Sequence, residues 1–295
     1  MINKLAGLVR RCIDDYGMIE QGETIAVGVS GGKDSMVLLC ALASLSKYHP
    51  KNFKVHAVTL DMGMEIIGRE EIKKRDGSPV SAVAEGVLAP NFSSERVLSP
   101  YIPKNPQQAP IPYQLTNTVA PSAFIPIAEL CEKLGVGFTL KRSEIASIVF
   151  EHRKEKNPCS LCATMRRAAL CKMVRDLGIS KIALAHHYDD AIETFLLSLL
   201  YEGRISCFQP VTFLDRTEVT QIRPMLYVEE KAIINFAEIE GISIVKNPCP
   251  INGVSKREEV KTLIKTLGID HKDLKTKLFG AIQRLPLEGW RKEEE

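Results

Sequence analysis

Six consecutive residues, Ser30-Gly31-Gly32-Lys33-Asp34-Ser35, constrain this chain more than any other stretch. They stand between a short apolar run, Ile25-Ala26-Val27-Gly28-Val29, and a longer one, Met36-Val37-Leu38-Leu39-Cys40-Ala41-Leu42. The first run reads as a buried strand and the second as a buried helix. Two glycines at the junction let the backbone approach a ligand where any Cβ would intrude. The first amides of the helix have no intrahelical partners, so an anion is the natural guest, helped by the helix dipole and by Lys33. Ser30 and Ser35 offer hydroxyls to phosphate oxygens, and Asp34 offers a carboxylate to a magnesium ion. A plain Gly-Gly turn with a Ser or Asp helix cap explains fewer of the six residues.

The pattern is neither a Walker A loop nor a G-x-G-x-x-G fingerprint. It resembles the PP-loop of the ATP pyrophosphatases, whose S-G-G-x-D-S it matches in full. That resemblance implies cleavage of ATP between the α and β phosphates. A substrate oxygen is adenylated, pyrophosphate leaves, and a nucleophile displaces AMP.

Around the loop, strand and helix signals alternate. A helical stripe over residues 2–19 precedes the first strand, and Lys54–Asp61 reads as the second, with Asp61 at the ligand-binding edge of an open sheet. His56 within it reads as a core residue. Phe124–Leu134 reads as a helix stopped by Gly135, residues 137–142 as a strand, and 151–156 as a charged turn. A helix over 157–177, a strand over Lys181–His187, and a helix over Ala191–Tyr201 capped by Tyr188-Asp189-Asp190 come next. Strand signals over 211–225 lead to helices at 228–240, 255–267 and 271–284. This predicts an α/β fold, a doubly wound and mostly parallel sheet with an N-terminal helix and a C-terminal helical extension. The divisions are 1–22 for the N-terminal helix, 23–225 for the nucleotide-binding domain and 226–295 for the extension. Residues 66–122 interrupt the pattern: eight of the sixteen prolines fall there. The prolines from Pro100 to Pro121 rule out a regular helix, residues 68–77 read as a short helix or a charged hairpin, and the window as a whole reads as a poorly ordered insertion.

A chain of 295 residues can bury a large core, and its net charge of +3 leaves nucleic-acid binding to local patches. No apolar stretch long enough to span a membrane is present and the N-terminus lacks a signal-peptide core, so a cytoplasmic protein is expected. Eight cysteines then argue for thiols, metal ligands or catalysis rather than disulfides. Cys40, Cys131 and Cys171 lie in apolar helical patterns and read as core residues; Cys12 and Cys207 have no assignment.

Cys159-Ser160-Leu161-Cys162 is compatible with half of a zinc site, a dithiol pair or two ligands of an iron–sulfur cluster. No second C-x-x-C completes a zinc site. Cys249, held between Pro248 and Pro250, lies outside any helical packing pattern. Together with the PP-loop, these residues resemble the tRNA 2-thiolation branch, closest to the tRNA-cytidine 2-sulfurtransferases. The match extends to Leu60-Asp61-Met62-Gly63, Met165-Arg166-Arg167, His186-His187-Tyr188-Asp189-Asp190 and Arg223-Pro224. The resemblance implies that Cys159, Cys162 and Cys249 ligate a [4Fe–4S] cluster. It implies that Ser30, Gly31, Gly32, Lys33, Asp34, Ser35, Asp61, His186 and Asp189 serve ATP and Mg²⁺. Lys33, Asp61, Arg166 and Asp189 would carry the chemistry. It further implies tRNA as a partner, a cysteine desulfurase or free sulfide as sulfur donor, no membrane, and compatibility with a homodimer. Arg166, Arg167, Lys172 and Arg175 suit an RNA phosphate track, although a solvated basic face also produces such a run.

Two departures stand out. Many of these enzymes have a further cysteine where this chain has Asn252, and Pro-Cys-Pro followed by Arg257 is closer to the 2-thiouridine enzymes. Rival readings are a lysidine-synthetase-like ligase, which does not need three cysteines, and an inactive RNA-binding relative.

Overall fold

A computed structural model describes residues 2–63, 114–115, 122–153, 158–245, 249 and 256–284. In chain order, α1 (Ile2–Asp15) leads to β1 (Thr24–Gly28), α2 (Lys33–Leu45) and β2 (Lys54–Asp61). Then come β3 (Gln114–Leu115), α3 (Ile125–Leu134), β4 (Gly137–Arg142) and the short α4 (Ile145–Ser147), which runs into a π-helical turn at Ile148–Arg153. Next are α5 (Pro158–Asp176), β5 (Lys181–Ala183), α6 (Tyr188–Tyr201), β6 (Val211–Leu214) and β7 (Val219–Ile222). The chain continues with α7 (Glu230–Ile239), α8 (Lys256–Asp270) and α9 (Leu274–Gln283).

The sheet order is β3-β4-β2-β1-β5-β7-β6, parallel except for β6 at its edge. β1 lies between β2 and β5, with Ala26 opposite both His56 and Ile182. The chain leaves β1 toward β2 on one side and returns through β5 on the other, so the loop after β1 sits at the reversal of strand order. That is where open α/β sheets bind ligands.

Side-chain alternation along β1 explains the two layers. Ile25 and Val27 join a large cluster with α1, α2 and α7, including Leu38, Leu39, Leu42 and Phe236. Ala26 faces a second cluster beneath α5, with Val58, Cys171, Val174 and Ile182. Helix α2 buries ten of its thirteen residues, which is why its sequence is apolar all round. Helices α8 and α9 pack on α6, and Phe279 of α9 reaches the larger cluster.

The α/β expectation holds, with local differences. The strand expected over Lys181–His187 ends at Ala183, and α6 begins at Tyr188 rather than Ala191. Residues 151–153 lie in the π-helical turn, and 154–156 fall outside the described residues. Most of the 66–122 window also lies outside them; Gln114–Leu115 pairs in parallel with Thr139–Leu140 and adds an edge strand. Among the described residues no helix is long and apolar enough to cross a membrane.

His56 is a core residue, 1% exposed, with Nε2 2.8 Å from Thr139 Oγ1. Burial pushes its pKa down from 6.5 to about 4. The unfolded chain therefore takes up a proton between about pH 6.5 and 4 that the fold refuses, and stability falls as pH drops through that window. His56 contributes up to about 3 kcal/mol of that loss. Urea unfolding at about pH 7 and about pH 4.5 should show a clearly smaller drop for His56→Gln than for the parent protein.

Candidate active site

The loop after β1 is braced from within. Ser35 Oγ donates to Gly32 O at 2.9 Å and accepts from Ser30 N at 3.1 Å. Ser35 is buried, so its hydroxyl holds the loop, whereas Ser30 is exposed. Gly32 is the N-cap of α2 and provides no side-chain cap, which leaves the first amides of the helix available to an anion. Gly31 adopts φ +82°, and a Cβ there would lie 2.5 Å from the Cβ of Val245. Val245 N donates to Gly31 O at 2.9 Å, so the segment after α7 is seated directly on the loop.

Lys33 Nζ lies 3.0 Å from both Asp34 Oδ1 and Glu230 Oε1. Burial opposes its charge, but the bonds to Glu230 and Asp34 prevail and raise its pKa. Burial likewise opposes the Glu230 carboxylate, and Lys33 brings its pKa below the ordinary value. Nothing local in the sequence marks Glu230 as the partner, since it is 197 residues from Lys33.

Across the switch point, His187 caps α6. Its Nδ1 accepts from Asp190 N while Asp190 Oδ2 accepts from His187 N, a reciprocal capping box in which histidine takes the place of the usual Ser or Thr. His187 Nε2 also stands 3.9 Å from Asp34 Oδ1, joining this cap to the loop. Of the two adjacent histidines, His187 meets the loop; His186 stacks on Phe208 at 4.9 Å between centroids. Burial, then the nearby Arg223 guanidinium, push the His186 pKa down to about 4. Arg223 is itself buried and donates to Gln209 O and Thr212 Oγ1.

Asp189 is buried with both oxygens engaged: Oδ2 accepts from Glu230 N at 2.7 Å and Oδ1 from Lys275 Nζ. Burial alone would raise its pKa, but the Glu230 amide and Lys275 outweigh it and lower it. Arg257 reaches Asp190 Oδ1 at 2.8 Å. Thus α8 and α9 each send a cation to the acidic start of α6. Lys275→Ala should destabilise the fold by about 1–3 kcal/mol near neutral pH, because it removes one partner of a buried carboxylate while Lys275 itself is half exposed. The difference should vanish in acid, as Asp189 protonates below its ordinary pKa, and urea unfolding against pH measures it.

Asp61 ends β2, as expected, with Oδ1 accepting from Gly63 N at 2.9 Å. Ser143 secures its backbone: Ser143 N and Oγ both donate to Asp61 O. The close approach explains Gly63, whose added Cβ would lie 2.5 Å from Ser143 O.

The cysteines divide into two groups. Cys12, Cys40 and Cys131 are buried, and burial pushes their thiols up to about 12, 11 and 12. Cys171 is buried on the sheet-facing side of α5, and Cys207 is half-buried. Cys159 is exposed, while Cys162 and Cys249 are half-buried. Cys159 and Cys162 lie one turn apart at the start of α5, on one side of the helix, where the dipole favours thiolates. Partial burial raises the Cys162 pKa; Arg166, one turn on, opposes the rise, while Cys249 and Cys159 add to it. The interaction with Cys249 spans 87 residues of sequence. Cys249 is four positions after Val245, at most about 14 Å of extended chain. Cys249 is thus near enough to Cys162 to oppose its ionisation. Among the described residues, no three His, Cys, Asp or Glu side chains are gathered at metal-ligating distances. Arg166, Arg167, Lys172 and Arg175 are exposed on α5.

Residues 116–265 match the family model described as the PP-loop domain, about half of the chain. The chain belongs to the PP-loop family. Within it, this PP-loop protein falls in the tRNA 2-thiolation branch, whose members are transferase enzymes. It is 30% identical over 285 residues to the tRNA-cytidine(32) 2-sulfurtransferase of Syntrophotalea carbinolica, covering 96% of this chain and 89% of that one. It is 32% identical over 272 residues to the enzyme of the same name from Aliivibrio fischeri, covering 90% and 70%. The fold is similar to that of the U34-tRNA thiolase NcsA from Methanococcus maripaludis, solved with its [4Fe–4S] cluster. That likeness has a TM-score of 0.66 at 20% identity, over 98% of this chain and 80% of that one.

Proposed function

We propose that this PP-loop protein replaces the C2 oxygen of a tRNA cytidine with sulfur, activating that oxygen with ATP and using a [4Fe–4S] cluster on Cys159, Cys162 and Cys249. The observation that carries this reading is the placement of Val245 and Cys249. Val245 is hydrogen-bonded to Gly31, and Cys249, four positions on, is near enough to Cys162 to oppose its ionisation, which supports a shared region for the anion loop and the three thiols. The relatives' names supply tRNA and cytidine as substrate class.

The C2 oxygen attacks the α-phosphorus of ATP, the bond to the β-phosphate oxygen breaks and pyrophosphate leaves. Sulfide then forms the C2–S bond as the C2–O bond breaks and AMP departs, with no net oxidation or reduction. Lys33 and the open amides of α2 stabilise charge on the departing pyrophosphate. For this the phosphate oxygens compete with Glu230 and Asp34 for Lys33. Asp61, held by Gly63, and Asp189, on exchange of Lys275, are the carboxylates suited to the magnesium that accompanies ATP. Arg166 stands close enough to Cys162 to favour its thiolate and to neutralise phosphate charge beside it. Cys159, Cys162 and Cys249 would hold the cluster, which would bind the sulfide that replaces the oxygen.

Mass analysis of tRNA nucleosides from a deletion strain tests the reading. Loss of 2-thiocytidine, with AMP and pyrophosphate formed by the purified protein, is expected. Loss of 2-thiouridine instead would move the target base. An unchanged thionucleoside profile, or ADP and phosphate as products, would overturn the proposal.

A further inference from the structure

Helices α8 and α9 pack across α6 and line an open cavity of about 420 Å³. Asp189 and Glu230 line it, and Glu230 also holds Lys33, so this cavity adjoins the anion loop. Glu193 lies one turn beyond Asp189 on the same face of α6 and also lines the cavity. Its side chain is only 4% exposed, and Oε2 accepts no hydrogen bond. Two cations form loose ion pairs with it, beyond hydrogen-bonding distance: Arg257 is 3.7 Å from Oε2 and Lys261 is 3.8 Å from Oε1. Burial lifts the Glu193 pKa to about 7, because Lys261 and Arg257 do not fully offset it and Asp190 and Glu230 add to the rise. Such a carboxylate is costly unless something donates to it. At the exposed rim stand Lys265 and Lys272, neither with a carboxylate partner among the described residues.

A buried acceptor inside and two uncommitted cations outside suit a ligand with an N–H edge and a phosphate. We infer that this cavity seats one nucleotide of the RNA substrate, with Glu193 accepting from the exocyclic amine of cytosine and Lys265 and Lys272 holding backbone phosphate. The inference rests on the tRNA reading above and adds to it a residue that selects the base. The Glu193 carboxylate accepts from the N4 amine of cytosine, whereas uracil offers a carbonyl there that repels the carboxylate and is met only by the protonated acid, so the preference is read above about pH 7. Glutamine in place of Glu193 can accept from the amine or donate to the carbonyl, so it should lose the preference.

The test uses the full chain and two tRNA transcripts, identical except that the target cytidine of one is uridine. Filter binding at several salt concentrations gives both affinities. The parent protein should prefer the cytidine transcript by about tenfold or more, and Glu193→Gln should reduce that preference to about threefold or less. Lys265→Ala combined with Lys272→Ala should weaken both transcripts alike, by about tenfold. It should also lower the slope of log affinity against log salt by about 2. Circular dichroism reports folding, and the lysine pair, being exposed, carries the test even if Glu193→Gln folds poorly. Undiminished preference in folded Glu193→Gln, or undiminished affinity in the lysine variant, overturns the assignment while leaving thiolation intact. A parent protein that neither binds nor thiolates the cytidine transcript removes the tRNA reading, and this inference with it.

Discussion

Gly31→Ala should all but stop pyrophosphate release in the presence of ATP and tRNA, with turnover down by about 100-fold or more. Two causes act together. The backbone at Gly31 has φ +82°, which an alanine adopts only with strain of about 1–3 kcal/mol. The new methyl would also lie 2.5 Å from Val245 Cβ and 2.6 Å from its Cγ2. Val245 is hydrogen-bonded to Gly31 O, so the residues beyond it must shift too, and Cys249 is four positions along. A second change, Val245→Gly, removes the clash but not the backbone strain. The double variant should therefore recover part of the lost turnover. A single variant with parental pyrophosphate release would show that the loop does not cradle phosphate.

Replacing Cys159, Cys162 or Cys249 by Ala, one at a time, should abolish both iron binding and thiolation while ATP binding remains. The three thiols stand apart from the four buried cysteines, Cys12, Cys40, Cys131 and Cys171, by environment. They are exposed or half-buried, and Cys249 and Cys159 are near enough to Cys162 to oppose its ionisation. Cys40, Cys131 and Cys171 sit among apolar neighbours, so Ala there should keep the iron and cost about 1–2 kcal/mol of stability. Iron content, absorbance and nucleoside analysis on the six variants separate the groups. Iron retained after loss of Cys249 would remove it from the ligand set.

The parts legible in the sequence are those built from neighbours along the chain. Strand, glycine turn and buried helix run without interruption from Thr24 to Leu45, and the apolar character of α2 comes from its burial on nearly all sides. Cys159 and Cys162 fall one helical turn apart because α5 begins at Pro158. The capping residue of α6 is harder to see. Asp189 and Asp190 mark a helix start, but the cap is His187, which works only because Asp190 returns its hydrogen bond. The partners of the site are not legible at all. Glu230 for Lys33, Lys275 for Asp189 and Val245 for Gly31 are long-range contacts, made as the chain from α7 to α9 packs back onto the loop and the start of α6. No local period or spacing encodes them. Ser35 shows the limit in another way: a serine beside a glycine pair suits phosphate by type, yet here it is buried and braces the turn.

The central claim is that one region adenylates a tRNA base and delivers sulfur to it through three cysteines. A single anaerobic reaction tests it most directly: iron-loaded protein, ATP, sulfide and unmodified tRNA, with AMP and thionucleoside measured together. AMP and 2-thiocytidine are expected in equal amounts, both lost with Lys33→Ala, and only the thionucleoside lost with Cys249→Ala. Stoichiometric zinc without iron in the active protein, or thiolation undiminished by Cys249→Ala, would contradict it.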